Sequence, residues 1–168
     1  MKNKNNQLKN LNLEPSTLAK FFYQKGIDTS PIIQKLIYFA YLEGIKQGCL
    51  LFKEEFEAWE HGPVLPSLFT YSVKKSGFQP LEKTLGNFPN LENKNALEIL
   101  EQTYAKYSSY QDWEEVIDMA RNFPWQLARS RKEDNRIKLE DLIAFVKSAI
   151  VKEKILSQEL GRVAAFAV

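Results

Sequence analysis

His61 is the only histidine in the sequence and Cys49 the only cysteine. That leaves a thin catalytic inventory. Paired imidazoles cannot share a zinc ion, thiolate clusters are excluded, and a single thiol forms no internal disulfide. A Cys49–His61 nucleophile–base pair would be the remaining covalent chemistry. Cys49, however, follows Gly48 at a helix end among apolar neighbours, a setting in which a free thiol acts as a small buried hydrophobe. No Gly-rich phosphate loop follows a strand, and no nucleophile elbow occurs. Glu54, Glu55, Glu57 and Glu60 crowd one short stretch and could hold a metal or form an acid–base pair. Alternation instead puts Glu55 and Glu57 on a solvent face, where charge guards a strand edge. The sequence therefore predicts no catalytic residue, no metal and no cofactor.

Recognition chemistry is better represented. Phe56 and Ala58 alternate with Glu55 and Glu57, the period of a half-buried strand. His61-Gly62-Pro63 should stop regular structure, because Gly admits unusual dihedrals and Pro fixes φ. Pro66 can open the next helix, where a missing N–H costs nothing. The turn thus presents Trp59 and His61. Two readings stay open: Trp59 plugs the core while His61 hydrogen-bonds the turn, or the turn is a binding surface of the kind that favours Trp and Tyr. Tyr38 and Tyr41 divide similarly, as core rings whose hydroxyls reach a partner group. The densest basic cluster, Arg121, Arg129, Arg131, Lys132, Arg136 and Lys138, is interleaved with Glu133, Asp134, Glu140 and Asp141. A mixed solvated surface is the first reading, a patch for an acidic protein the second, a nucleic-acid footprint the third.

The elements that must position these residues are mostly helical. The segment from Ile32 to Ile45 is apolar on nearly every face, broken mainly by Gln34, Lys35 and Glu43. Such a helix is buried, so it should centre the core, with Ser30-Pro31 starting it and Gly48 ending it. Leu18, Phe21 and Phe22 mark an earlier helix with Ser16 as cap and Gly26 as end. Leu50 to Phe52 and Phe56 to Trp59 read as a hairpin, and a third strand near Ile137 would complete a small sheet. Phe78 to Asn93 reads as a loop, mobile or partner-facing. Asn93 or Asn95 opens a helix carrying Leu97, Leu100, Tyr104 and Tyr107, and Ser108 or Ser109 opens the next. Pro124 starts a short helix with Trp125, and a last helix runs from about Leu139 to Leu160. The expected fold class is mainly α, a compact helical domain with a small two- or three-stranded antiparallel β-sheet.

At 168 residues with 44% hydrophobic content, the chain is the size of one domain with its own core. A net charge of +2 demands no nucleic-acid or anionic-membrane partner. Residues 1–13 read as a mobile polar tail, 14–160 as a single domain and 161–168 as an apolar tail. The start has no apolar run, and so reads as neither signal peptide nor membrane anchor. With one cysteine this fits a cytoplasmic protein.

Gln34-Lys35-Leu36-Ile37-Tyr38-Phe39-Ala40-Tyr41, then Leu50 to Phe69 with Ala58-Trp59 and Gly62-Pro63-Val64, then Pro124-Trp125 occur in that order. Together they resemble the Panacea antitoxin domain, also called the SocA-like or phage-associated domain, from about Leu18 to about Phe145. His61 stands where Tyr is common in that family, and Ala120 where many members carry a His. The resemblance implies an antitoxin that binds a toxin protein directly and blocks it, a non-catalytic protein–protein interaction. The stiff turn with Trp59, His61, Gly62 and Pro63, where the resemblance is strongest, is the expected contact surface, with support from Tyr38, Tyr41 or Trp125. Three rivals stay open. The chain could be an adaptor handing a bound protein to an ATP-driven protease, which the apolar end Val163 to Val168 would suit. It could be a hydrolase on Cys49 and His61, or a nucleic-acid binder on the basic cluster.

Overall fold

Helix α2, Ser30–Lys46, is buried around its whole circumference, from Ile32 to Ile45. Pro31 sits in its first turn and Gly48, at φ +87°, turns the chain away just past its end, the usual use of glycine beyond a helix C-terminus. This is the buried helix that the sequence predicts. Around it pack α1 (Pro15–Gln24), α3 (Pro66–Val73), α4 (Lys94–Tyr107), α5 (Trp113–Ala120) and α7 (Leu139–Phe166), with α6 (Phe123–Ser130) against α7. The computed structural model describes residues 7–73, 85–110 and 112–166. The fold is mainly helical, as expected.

The rings of α2 key the packing. Phe39 stacks on Tyr107 of α4 with centroids 4.2 Å apart, and Tyr38 meets Phe56 edge-on at 5.1 Å. Asn93 caps α4 by accepting from Ala96 N at 3.0 Å. The helix after α4 starts later than expected: Asp112 caps α5 by accepting from Glu114 N at 2.9 Å, because Ser108 and Ser109 close α4 instead, Ser108 N donating to Tyr104 O and Ser109 Oγ to Lys106 O. Ser16 is likewise no cap but a buried residue inside α1, which opens at Pro15 behind Glu14.

The strands differ from the expected hairpin. Leu50 to Phe52 does not pair with Phe56 to Trp59. Instead β1 (Lys9–Asn10) and β2 (Cys49–Leu50) pair in parallel, and β3 (Glu57–Trp59) pairs antiparallel with β4 (Gly62–Val64) across Glu60 and His61. The physical reason lies in burial: Leu51, Phe52 and Phe56 all turn inward, and an alternating strand cannot do that. The turn residues Gly62 and Pro63, expected to break regular structure, are themselves strand. The third strand near Ile137 is reduced to a single bridge, Glu57 with Arg136, supported by Ile137 N donating to Phe56 O at 2.7 Å.

Residues near the N-terminus pack on the fold, and the last helix runs past its expected end. Leu11 N donates to Leu50 O at 2.8 Å and Leu13 N to Leu51 O at 2.9 Å. Leu8, Leu11 and Leu13 pack on the core, so the stretch from Lys9 to Leu13, read as tail, is anchored by its leucines. At the other end α7 continues through Gly161 to Phe166. The expected loop from Phe78 lies outside the described residues as far as residue 84. Its later part is fastened to α1, where Lys20 Nζ donates to Phe88 O at 2.6 Å.

Candidate functional site

The β3–β4 hairpin rests on two consecutive polar residues of α2. Gln34 and Lys35 are both buried, Lys35 to 2% exposure. The Gln34 amide donates to Leu65 O at 3.3 Å and accepts from Leu65 N at 2.9 Å. Lys35 Nζ donates to Pro63 O at 3.1 Å. Gly62 adopts φ +108°, and a Cβ there would lie 2.8 Å from Lys35 Cε. The residue must therefore be glycine for two reasons, its left-handed backbone and the close approach of the lysine stem. Burial, together with the nearby positive charge of Arg121, lowers the Lys35 pKa from 10.5 to about 8.

On the outer side of this hairpin lie two half-buried tryptophans. Trp59 Nε1 donates to Glu57 Oε2 at 2.7 Å, and Trp125 Nε1 donates to Trp59 O at 2.9 Å. Phe69 of α3 meets the Trp59 ring edge-on at 4.8 Å and stays exposed on its other side. Arg129 NH1 reaches Ala58 O at 3.5 Å, so α6 and β3 are joined by both Trp125 and Arg129. Glu60 and His61 at the tip are exposed, and Phe123 at the start of α6 is 62% exposed. The outcome for Trp59 lies between the two readings: one part of the ring packs and another faces water.

Of the residues singled out from the sequence, Trp59, His61, Gly62, Pro63 and Trp125 come together at this hairpin. Only Trp59, His61 and Trp125 offer surface there, because Gly62 and Pro63 are buried. Tyr38 and Tyr41 lie beneath, in the core. The Tyr38 hydroxyl donates to Asn122 Oδ1 at 2.8 Å, next to the start of α6. Burial raises the Tyr38 pKa, and raises that of Tyr41 to about 12. These tyrosines can support a contact but cannot touch a partner. Sequence reasoning missed Gln34 and Lys35, treating them as interruptions of an apolar helix. The signal was present, since adjacent polar residues on a helix buried all round must both find partners inside.

The acidic stretch is dispersed by its partners. Glu54 caps α3, accepting from Ser67 N at 3.1 Å and Ser67 Oγ at 2.7 Å. Glu57 holds Trp59, and Glu55 pairs with Arg136 at 3.5 Å. Three carboxylates thus face three different protein donors. Glu54 in particular is not on a solvated edge but at a helix N-terminus, where negative charge is favourable. Cys49 is buried and its thiol pKa is raised by that burial, the reverse of what an attacking thiolate requires.

Internal pairing takes up three of the six residues of the basic cluster. Arg121 pairs with Asp118 at 2.8 Å, Arg131 with Asp141, and Arg136 with Asp134 at 2.9 Å. The Arg136 guanidinium holds the exposed Asp134 carboxyl down at about 2. This is the mixed, self-neutralised surface that interleaved charges predict. Among the described residues no helix is long and apolar enough to cross a membrane.

The family model described as "Antitoxin SocA-like, Panacea domain" matches residues 33–126, more than half of the chain. That span holds Gln34, Lys35, the hairpin and Trp125, and leaves out Arg129 among the contacts that seat the hairpin. Comparison with curated proteins and with solved structures gives no match.

Proposed function

The chain belongs to the SocA-like antitoxin family defined by the Panacea domain, and from that premise we propose that it neutralises a toxin protein in the cytoplasm by direct binding through the Trp59, His61 and Trp125 face. The observation that carries this reading is the locked tryptophan pair. Each indole N–H is already committed to a partner within the chain, so the rings hold one orientation while part of each stays open to solvent. Side chains fixed in advance lose little entropy on docking, and aromatic anchors dominate interface energetics. Phe69 and His61 extend the same face.

The mechanism is occlusion, with no covalent step. The test is co-purification of the cognate toxin with His61→Ala, an exposed position whose loss leaves the fold intact. Toxin affinity should fall by about tenfold, as for a mid-strength interface residue. The thermal midpoint should stay within about 2 °C of the wild type, no more than a loss of about 1 kcal/mol produces in a chain of this size. Unchanged affinity in a variant with an unchanged melt would place the toxin on another surface.

A further inference from the structure

Helix α7 carries apolar residues further than its own domain can use. Leu142 and Val146 are buried, and Glu153, paired with Lys46 of α2 at 3.2 Å, marks where the helix leaves the body. Residues 151–162 are exposed throughout, yet Val151, Ile155, Leu156 and Leu160 occur among them at exposures between 50% and 61%. The part from Val151 to Phe166 projects for roughly 24 Å at the rise of an α-helix.

The arrangement of those residues is self-complementary. Lys152 and Glu159 are two helical turns apart and therefore lie on one line along the helix. Val151 and Ile155 flank that line on one side, Leu156 and Leu160 on the other. All six positions are symmetric about the point midway between Ile155 and Leu156. Val151 mirrors Leu160, Lys152 mirrors Glu159, and Ile155 mirrors Leu156. A two-fold axis through that point would lay the same face of a second copy antiparallel against this one. Each Lys152 would then meet the Glu159 of the other copy, and the two Ile155–Leu156 steps would meet at the centre. Parallel pairing would bring Lys152 against Lys152 and Glu159 against Glu159. The charges therefore select the antiparallel arrangement, while the apolar rows supply the attraction.

We propose that the projecting half of α7 is a self-association surface, joining two copies of this chain as an antiparallel helix pair. Identical patches related by a two-fold axis are the simplest way to close an assembly. Ile155 and Leu156 stand on either side of the charged line and Val151 and Leu160 at its two margins, half a turn apart, so the apolar contact is small. With the stems of Lys152 and Glu159 added, the pair falls at the small end of specific interfaces, which suits a reversible dimer. This surface is separate from the tryptophan face, so the inference does not depend on the toxin reading.

Sedimentation equilibrium on the full chain, without toxin, decides it. The wild type should dimerise, with dissociation in the range of about 1–100 μM. Lys152→Glu alone and Glu159→Lys alone should each weaken the dimer by about tenfold or more, because like charges then face each other twice. The double variant Lys152→Glu/Glu159→Lys should recover wild-type association, since opposite charges meet again. All four positions tested for exposure lie outside the core, and Leu156→Glu should give a folded monomer with an unchanged melt. A wild type that stays monomeric at about 1 mM, about ten times the upper end of the expected range, would overturn the proposal. So would a dimer that both charge reversals leave intact, or a double variant that fails to recover.

Discussion

Replacing Lys35 by Met removes a buried charge while keeping most of the apolar stem, and its effect should depend on pH in a defined window. In the folded chain the Lys35 pKa is about 8 against an ordinary value of 10.5. Below pH 8 the ammonium is charged whether the chain is folded or not, and the fold carries the full cost of burying it. Between those two values the unfolded chain binds a proton that the folded chain does not, so stability rises with pH. The slope approaches 1.4 kcal/mol per unit, and from about pH 8 to about pH 10 the gain is about 2 kcal/mol. The raised tyrosines act oppositely. Tyr41 and Tyr107, at about 12 from an ordinary 10.0, lose their contribution as pH climbs above 10. Lys35→Met shares those tyrosines but lacks the lysine, and it also leaves the Pro63 carbonyl without its donor at a pH-independent cost of about 1–3 kcal/mol. Urea melts of both chains every half unit from pH 7 to about 10.5 isolate the lysine as the difference between two curves. That difference should change by about 2 kcal/mol in favour of the wild type across the window. Parallel curves would show that Lys35 does not titrate as a buried group, and the account of how the hairpin is seated would fail with it.

Two other substitutions probe the same seat. Gly62→Ala forces a side chain into a left-handed backbone and against the Lys35 stem, and should cost about 2 kcal/mol or more in denaturant melts; a loss under about 0.5 kcal/mol would mean that the hairpin relaxes freely. Glu54→Ala removes the cap of α3 and should cost about 1 kcal/mol, read calorimetrically as a midpoint lower by about 2–4 °C, with no change if the carboxylate is only a solvated edge.

The helices were legible in the sequence because their signals are local. Pro31, Gly48, Asn93 and Pro124 punctuate the chain where the structure starts and stops its helices, and the largely apolar run of α2 announced the centre of the core. The strands were not legible. Leu51, Phe52 and Phe56 look like alternating strand until one knows that all three are buried, and the partner of β2 is β1, a distant segment inside an Asn- and Lys-rich stretch. Pairing across such a separation leaves no periodic trace. The site was half legible. Trp59 and Trp125 meet at the hairpin whose exposed tip carries His61, but the burial of Gly62, Pro63, Tyr38 and Tyr41 depends on packing. The support of the site by Gln34 and Lys35 is a tertiary fact, set by the length of chain between α2 and β4.

That support explains a choice which stability alone does not. A methionine or leucine at position 35 would fill the same space without the desolvation that pulls the lysine down to about 8, and buried charges are often replaced by apolar residues at no loss. What an apolar residue cannot do is hold a carbonyl. With Gln34 clamping Leu65 on both its polar atoms and Lys35 holding Pro63, strand β4 has one register against α2, and a slip of one residue would strand three buried groups. The hairpin that carries Trp59 and His61 is thereby tied to the buried central helix of the core. On the proposed reading, the cost of a buried lysine is the cost of presenting two tryptophans to a partner in a single orientation.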